Sequence, residues 1–147
     1  MTARRALHFI PPSHRRDHVG INQQFLKIWL DCEALMNRID HNTEEAVHRF
    51  LALIASRYDV VEAIVYGSRA RGTHRPDSDV DVAVLLRGEH QRFLTAKLDM
   101  ADIAFDVLLE TGILISPLPV WLDEWENPES YCNPALLRNI HREGVRL

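Results

Sequence analysis

One stretch of the sequence constrains the fold more than any other: "VYGSRARGTHRPDSDVDVAVLL", residues 65–86. It joins two runs of β-branched and apolar residues, 60–66 and 80–86, through a polar loop that begins at Gly67. Runs of this length and composition are typical of strands. Asp79 and Asp81 lie at the start of the second run. An acidic pair at the start of a strand often only solvates a loop, but Gly67 and Ser68 at the end of the preceding strand make this loop the first candidate for a functional site.

Helical periodicity dominates the chain before the first strand. Residues 21–39 form a predicted amphipathic helix whose apolar positions recur every three or four residues: Ile21, Phe25, Ile28, Trp29, Cys32, Leu35, Met36 and Ile39. A second helix is predicted over 42–57, with Asn42 as its N-cap and Glu45 three residues later.

Helix and strand alternate again after the second strand. A helix is predicted within 91–112, with Gly112 as its stop and apolar positions at Phe93, Leu94, Leu98, Ala101, Phe105, Leu108 and Leu109. Residues 113–120 form a third predicted strand, which Pro117 and Pro119 place at a sheet edge. A last helix is expected over 133–144. The order predicts a small α/β (α+β) domain with helices mainly on one face of a short sheet.

Size and charge limit the classes of function. A chain of 147 residues is the size of one domain, which we place at 21–147 after a basic extension, 1–20, that holds four arginines and one aspartate. The net charge is −4, so the body after this extension is acidic. An acidic body argues against direct nucleic-acid binding, which needs a basic surface.

Two further features predict a cytoplasmic protein. No apolar run approaches the roughly 20 residues that span a bilayer, so no membrane association is expected. Cys32 and Cys132 lie far apart without CxxC spacing, as expected for buried or half-buried thiols in a reducing compartment.

The two carboxylates of the opening stretch suggest a metal site. In a strand, residues two apart project to the same face, so Asp79 and Asp81 can point at one position while Val80, Val82 and Val84 face the other way. Adjacent carboxylates repel each other unless a cation neutralises them. Mg²⁺ is the hard cation usually held by one or two carboxylates together with substrate phosphates.

The start of the loop has the residues of a phosphate site. Gly67 allows close approach of the backbone, and Ser68 adds a hydroxyl beside backbone N–H groups. Arg69 and Arg71 can neutralise phosphate charge. A phosphate cradle and metal-binding carboxylates on adjacent strand ends is the arrangement that nucleotidyl transfer requires.

These motifs resemble those of the nucleotidyltransferase superfamily related to DNA polymerase β: Gly67 and Ser68, ten intervening residues, then Asp79 and Asp81 in a DxD pattern. "GSRARG" and "SDVDVAVLL" look most like the minimal nucleotidyltransferases. The resemblance implies a nucleotidyltransferase fold, ATP as substrate and Mg²⁺ as cofactor. It places Gly67 and Ser68 on the phosphates and Asp79 and Asp81 on the metal.

One position departs from the pattern of the family. Active members resembling this chain carry a third carboxylate on the next strand, but "ILISPLPV" holds Ser116 and no acid. Asp106 and Asp123, or Glu124 beside it, are the alternatives for a third ligand. The acidic residues Asp99, Asp102, Asp106 and Glu110 step along the preceding helix and predict a solvated face. Catalytic competence is therefore open.

The acceptor is predicted to be a protein, because the residues after Asp81 leave no room for a separate acceptor domain. Minimal nucleotidyltransferases resembling this chain are often paired with small helical HEPN-type toxins. The resemblance thus implies an antitoxin that transfers AMP from ATP to a toxin hydroxyl. The alternative is a weakly active or inactive protein of the same fold that neutralises its partner by direct binding. The segment 21–39 and the acidic helix face are candidate docking surfaces.

Overall fold

A computed structural model describes residues 39–147 of the protein. The predicted extension 1–20 and all of the predicted helix 21–39 except Ile39 lie outside the described residues, so these two expectations stay predictions.

The described residues alternate between helices and strands. In chain order the elements are α1 His41–Ile54, β1 Val60–Tyr66, α2 Gly67–Arg71, β2 Val80–Leu86, α3 Phe93–Thr111, β3 Ile115–Trp121, α4 Leu122–Glu126, a 3₁₀-helix Pro128–Ser130, α5 Pro134–Glu143 and β4 Val145–Arg146. The predicted strands 60–66 and 80–86 coincide with β1 and β2. The short elements α2, α4 and β4 were not predicted from the sequence, since each is too brief to show a period.

The strands form one mixed sheet in the order β3-β2-β1-β4. β1 runs antiparallel to both β2 and β4, whereas β2 and β3 are parallel and are connected through α3. Within the described residues β3 pairs only with β2, so Pro117 and Pro119 do lie on an edge strand. The predicted small mixed sheet with helices is confirmed.

Alternation along the strands divides the core into two layers. Val80, Val82 and Val84 are buried with the apolar residues of α1 and α3. Ala83 and Leu85 point to the opposite face, where residues of α5 cover them. The two longest helices therefore share one face, as expected, and the shorter α5 closes the other. Among residues 39–147, no helix has the length and apolarity needed to cross a membrane.

The start of α1 differs from the prediction. Its N-cap is Asp40 and not Asn42, because the Asp40 carboxylate accepts hydrogen bonds from the Thr43 backbone N–H at 2.9 Å and from the Thr43 hydroxyl at 2.6 Å. Aspartate and asparagine are equally good caps, so the sequence alone could not choose between two positions two residues apart. Cys132 also differs from expectation, because it is exposed.

The orientation of α3 is the main surprise of the fold. The helix forms where predicted and ends at Gly112, which has a φ of 75°. However, the side chains that α3 buries are Ala96, Met100, Ile103, Ala104 and Val107, and most of the apolar positions on which its prediction rested are exposed. The helix is apolar on two flanks, and the flank with smaller side chains packs closely on the sheet.

Candidate nucleotidyl-transfer site

The sheet brings the predicted metal ligand Asp81 into one row with Ser116, the position without the third acid, and with Tyr66, which the sequence did not single out. Asp81 on β2 pairs in register with Tyr66 on β1 and with Ser116 on β3. Because paired residues of adjacent strands project to the same face, the three side chains share the face that α5 covers further along. Asp81 is half-buried, and Asp79, just before β2, is exposed. The site thus lies at the open end of this face.

Gly67 is required where β1 turns into α2. Its φ is 74°, a left-handed conformation that favours glycine, and a Cβ there would lie 2.6 Å from Oδ2 of Asp81. The carboxylate therefore rests against the glycine backbone. The predicted loop 67–78 begins instead with the short helix α2, and no side chain caps its first turn. Ser68 lies in this turn, beside N–H groups that an anion can accept from.

The electrostatics of the row favour a bound cation. Burial and the neighbouring charge of Asp79 raise the pKa of Asp81, although Arg71 partly opposes the shift. Burial, with the charges of Asp81 and Tyr131, raises the pKa of Tyr66 to about 12, so this phenol stays protonated. A divalent cation between Asp79 and Asp81 would relieve their repulsion. Asp79 and Asp81 fit Mg²⁺ by their chemistry, as two oxygen donors on one side of a strand.

Arg71 lies at the border of the site. Its guanidinium is exposed and lies 3.7 Å from the Glu143 carboxylate at the end of α5. The two residues line a small cavity of about 140 Å³ together with Tyr66 and Gly67. An exposed pair of this kind is weak, so Arg71 remains available to an anionic ligand.

The position of Arg69 is inconsistent with the predicted role on phosphate. Its side chain is buried, and its guanidinium donates to the Ser78 carbonyl at 2.7 Å and to the Thr43 hydroxyl at 2.8 Å. A third contact joins it to the Asp40 carboxylate at 3.6 Å. Arg69 therefore ties the loop between β1 and β2 to α1. The sequence could not predict which arginine anchors the loop and which faces the site, because Arg69 and Arg71 are chemically equivalent.

The Asp40 carboxylate is part of the same cluster. Burial alone would raise its pKa, but hydrogen bonds from Thr43 and the positive charges of Arg69 and His74 lower it overall. His74 lies 3.8 Å from Asp40, on the α1 side of the loop and not beside the carboxylate row.

None of the candidate third acids reaches the row. Asp106 is exposed on α3, which packs on the opposite face of the sheet from Asp81. Asp123 follows the far end of β3 and is hydrogen-bonded to His90 at 2.6 Å, and Glu124 caps the turn beside it. Ser116 occupies the position next to Asp81. Within residues 39–147, no group of three metal-binding side chains is assembled.

The acidic residues of α3 have a structural task instead. Asp99 accepts from Arg57 and from the Tyr58 hydroxyl, and Glu110 accepts from Arg49 at 2.8 Å. These contacts fasten α1 to α3, whereas Asp102 and Asp106 are exposed, as the predicted solvated face requires.

Comparison with known proteins places the chain in a family. Residues 47–132, more than half of the chain, match the nucleotidyltransferase domain. The chain belongs to this family, and its activity is of the nucleotidyltransferase type. The predicted resemblance is confirmed.

Similar solved structures are more distant. A toxin–antitoxin structure with AMP-PNP shares 16% identity over 70% of this chain and 70% of that chain, with a TM-score of 0.49. A protein from Sulfolobus solfataricus that is assigned to the nucleotidyltransferases shares 18% identity over 62% of this chain and 83% of that one, with a TM-score of 0.39. A search of curated proteins finds no match.

Proposed function

We propose that the protein transfers AMP from Mg²⁺-bound ATP to a hydroxyl group of a partner protein, acting as the antitoxin of a HEPN-type toxin. The observation that carries the proposal is the contact between Asp81 and Gly67. It sets a half-buried carboxylate of raised pKa against the unblocked first turn of α2. A metal ion would bind to Asp79 and Asp81. The triphosphate would lie beside it, on Gly67, Ser68 and Arg71.

Each residue has a distinct task in this proposal. Asp79 and Asp81 hold the ion, which neutralises the phosphate oxygens when bound. The N–H groups of the α2 turn and the Ser68 hydroxyl orient the triphosphate, and Arg71 balances its charge. Arg69 does not touch the nucleotide but fixes the loop that carries the others.

A protein acceptor suits the surroundings of the site. The helices and strands from β3 to β4 all pack on the single sheet, so the described residues form no second lobe to hold an acceptor. The HEPN class of partner rests on the resemblance of "GSRARG" and "SDVDVAVLL" to the minimal nucleotidyltransferases.

One observation favours a second candidate, an antitoxin that acts by contact alone. Ser116 stands beside Asp81 where a third carboxylate would help bind metal and accept the proton of the attacking hydroxyl. A serine hydroxyl at neutral pH does neither, so transfer would be slow or absent.

Nucleotide binding is tested by thermal melts with Mg²⁺-ATP. A ligand at a hundredfold excess over its Kd adds about 2.7 kcal/mol to the free energy of unfolding. We expect wild type to show a rise in Tm that is lost in Asp79→Asn/Asp81→Asn but kept in Asp123→Asn, an acid outside the row. An equal rise in Tm in all three proteins would show that Asp79 and Asp81 do not bind Mg²⁺-ATP.

Transfer is tested by incorporation of labelled AMP into a HEPN-type partner. We expect slow labelling by wild type, none by Asp79→Asn, and faster labelling by Ser116→Asp. If no variant labels the partner while tight complex formation persists, the contact-only antitoxin is correct.

A further inference from the structure

The outer flank of α3 exposes an unusual number of large apolar side chains. Leu94, Leu98, Phe105 and Leu109 are 64%, 57%, 54% and 71% exposed, respectively. The same helix buries its other flank on the sheet, and a helix that is apolar on both sides is typical of one that is covered on both sides. Because an exposed apolar patch marks an interface, a second surface is expected to cover it. We call these four residues, with Ala101 and Leu108 between them, the α3 stripe.

The α3 stripe has the spacing of a helix–helix seam. Five of its positions alternate steps of four and three residues: Leu94, Leu98, Ala101, Phe105 and Leu108. This 3.5-residue repeat keeps one flank of a helix against a partner helix along its length. The surface that matches the repeat is therefore another helix with the same repeat.

The charged residues beside the α3 stripe limit the choice of that helix. Asp99 and Glu110 are already paired with arginines on and just after α1. Lys97 and Asp102 lie on opposite borders of the stripe, five residues apart, and take part in no ion pair within residues 39–147. The stripe thus has one basic border and one acidic border that a partner helix can complement.

A second copy of α3 complements this pattern in one orientation. In a parallel pair of helices with this repeat, a residue just before one seam position lies beside the partner's residue five positions further along. Lys97 of each copy then lies beside Asp102 of the other, which gives two contacts of opposite charge. In an antiparallel pair each border meets its own counterpart, so Asp102 would face acidic side chains. Charge complementarity therefore favours the parallel pair.

We infer that the protein forms a two-fold dimer in which the α3 stripes of two copies pack in parallel. Like positions then face each other across the axis, Leu98 against Leu98 and Phe105 against Phe105 of the second copy. The α3 stripe lies on the opposite side of the sheet from the row that contains Asp81, so both candidate sites stay open to an acceptor. The inference is independent of the proposed function.

Sedimentation of the full-length chain tests the dimer. Wild type at about 100 µM should sediment as a dimer and should dissociate on dilution, since a seam of this length buries a small interface. Phe105→Glu should be a monomer at the same concentration, because it places two carboxylates in the apolar seam. The matched control is Asp106→Asn, which changes the next residue along α3, is exposed outside the stripe and should sediment like wild type.

Two results of this experiment would overturn the inference. A wild-type chain that stays monomeric at this concentration would leave the α3 stripe to a different protein or to another part of the same chain. A dimer that persists in Phe105→Glu would place the contact between copies at a different surface.

Charge reversal tests the parallel orientation. Lys97→Glu and Asp102→Lys should each raise the Kd of the dimer by about tenfold or more, because both contacts become repulsive. The double variant Lys97→Glu/Asp102→Lys should return to within about threefold of the wild-type Kd, because both contacts are restored with their charges exchanged. In an antiparallel dimer the double variant would bind no better than Asp102→Lys, and that result would overturn the inferred arrangement.

Cross-linking gives a second readout of the orientation. In Cys32→Ser/Cys132→Ser/Leu94→Cys, the new thiols of two parallel copies face each other, so mild oxidation should give a disulfide-linked dimer. In an antiparallel pair the same thiols lie at opposite ends of the seam. Asp106→Cys in the same background should stay unlinked, because Asp106 points away from the stripe. Equal linkage in both proteins would contradict the parallel seam.

Discussion

At the scale of single residues, Asp81 combines a proposed metal-binding role with a position that disfavours its charge. It sits between two strands and against Gly67, where burial and Asp79 both disfavour its charge. The spacing of Asp79 and Asp81 predicts a metal ligand at this position, and this role remains a proposal. The sequence could not reveal that Arg69 is buried while Arg71 is exposed, because that choice depends on where α1 packs.

The raised pKa of Asp81 predicts a pH-dependent gain in stability on substitution. Without metal, the folded state holds the Asp81 proton more tightly than the unfolded chain, so wild-type stability falls as pH rises from the ordinary aspartate pKa through the raised value. Asp81→Asn has no such proton to release, so its stability does not fall in this pH range. We therefore expect Asp81→Asn to raise Tm by about 2 to 4 °C at pH 7 in EDTA.

The gain should shrink to nothing as the pH is lowered below the unfolded aspartate pKa, where both states hold the proton. Thermal melts between pH 3.5 and about 7.5 measure this trend, which follows from the ordinary pKa of about 3.9. Asp102→Asn, an exposed acid on α3, serves as the control. If the rise in Tm of Asp81→Asn over wild type grows toward acid pH, the pKa of Asp81 is lowered in the folded state and not raised.

At the scale of elements, the strands were the most reliable predictions. The bounds of β1 and β2 followed from the length and β-branched composition of the two runs, and the opposite orientation of Val80 and Val82 relative to Asp81 followed from the period of two. The sequence did not predict which of the two apolar flanks of α3 is buried. That depends on how closely each flank can pack against the sheet, and both flanks are hydrophobic. Short elements such as β4 form through tertiary pairing, which no local pattern contains.

The loop between β1 and β2 depends on one guanidinium for its attachment to α1. Replacing Arg69 with leucine would leave the Ser78 carbonyl and the Thr43 hydroxyl without their donor. A buried group that loses a charged hydrogen-bond partner costs about 1–3 kcal/mol, so Arg69→Leu should lower the free energy of unfolding by about 3 kcal/mol in urea titrations.

Arg71→Leu is the matched control, because Arg71 lies two residues away on the same helix and is exposed; its stability should change by less than about 0.5 kcal/mol. The two variants should also differ in nucleotide binding, since Arg71→Leu should weaken the affinity for Mg²⁺-ATP and leave the loop folded. Equal stability losses in both would mean that Arg69 does not anchor the loop.

At the scale of the whole molecule, the N-terminal part of the chain divides into two pieces with different expected roles. Residues 1–20 carry basic charge and little periodic apolar character, whereas residues 21–39 carry apolar residues at steps of three and four. The sequence predicts an amphipathic helix at 21–39, but the surface that its apolar side would cover depends on tertiary packing, which no local pattern contains.

Two truncations distinguish the pieces. Deleting residues 1–20 should leave Tm within about 1 °C of the full-length value, because these residues hold a local positive excess and little periodic apolar character. Deleting residues 1–38 should lower Tm by at least about 3 °C, since the predicted amphipathic helix 21–39 has several large apolar side chains to bury, each contributing on the order of 1.5 kcal/mol. An equal Tm in the two truncated chains would contradict this prediction.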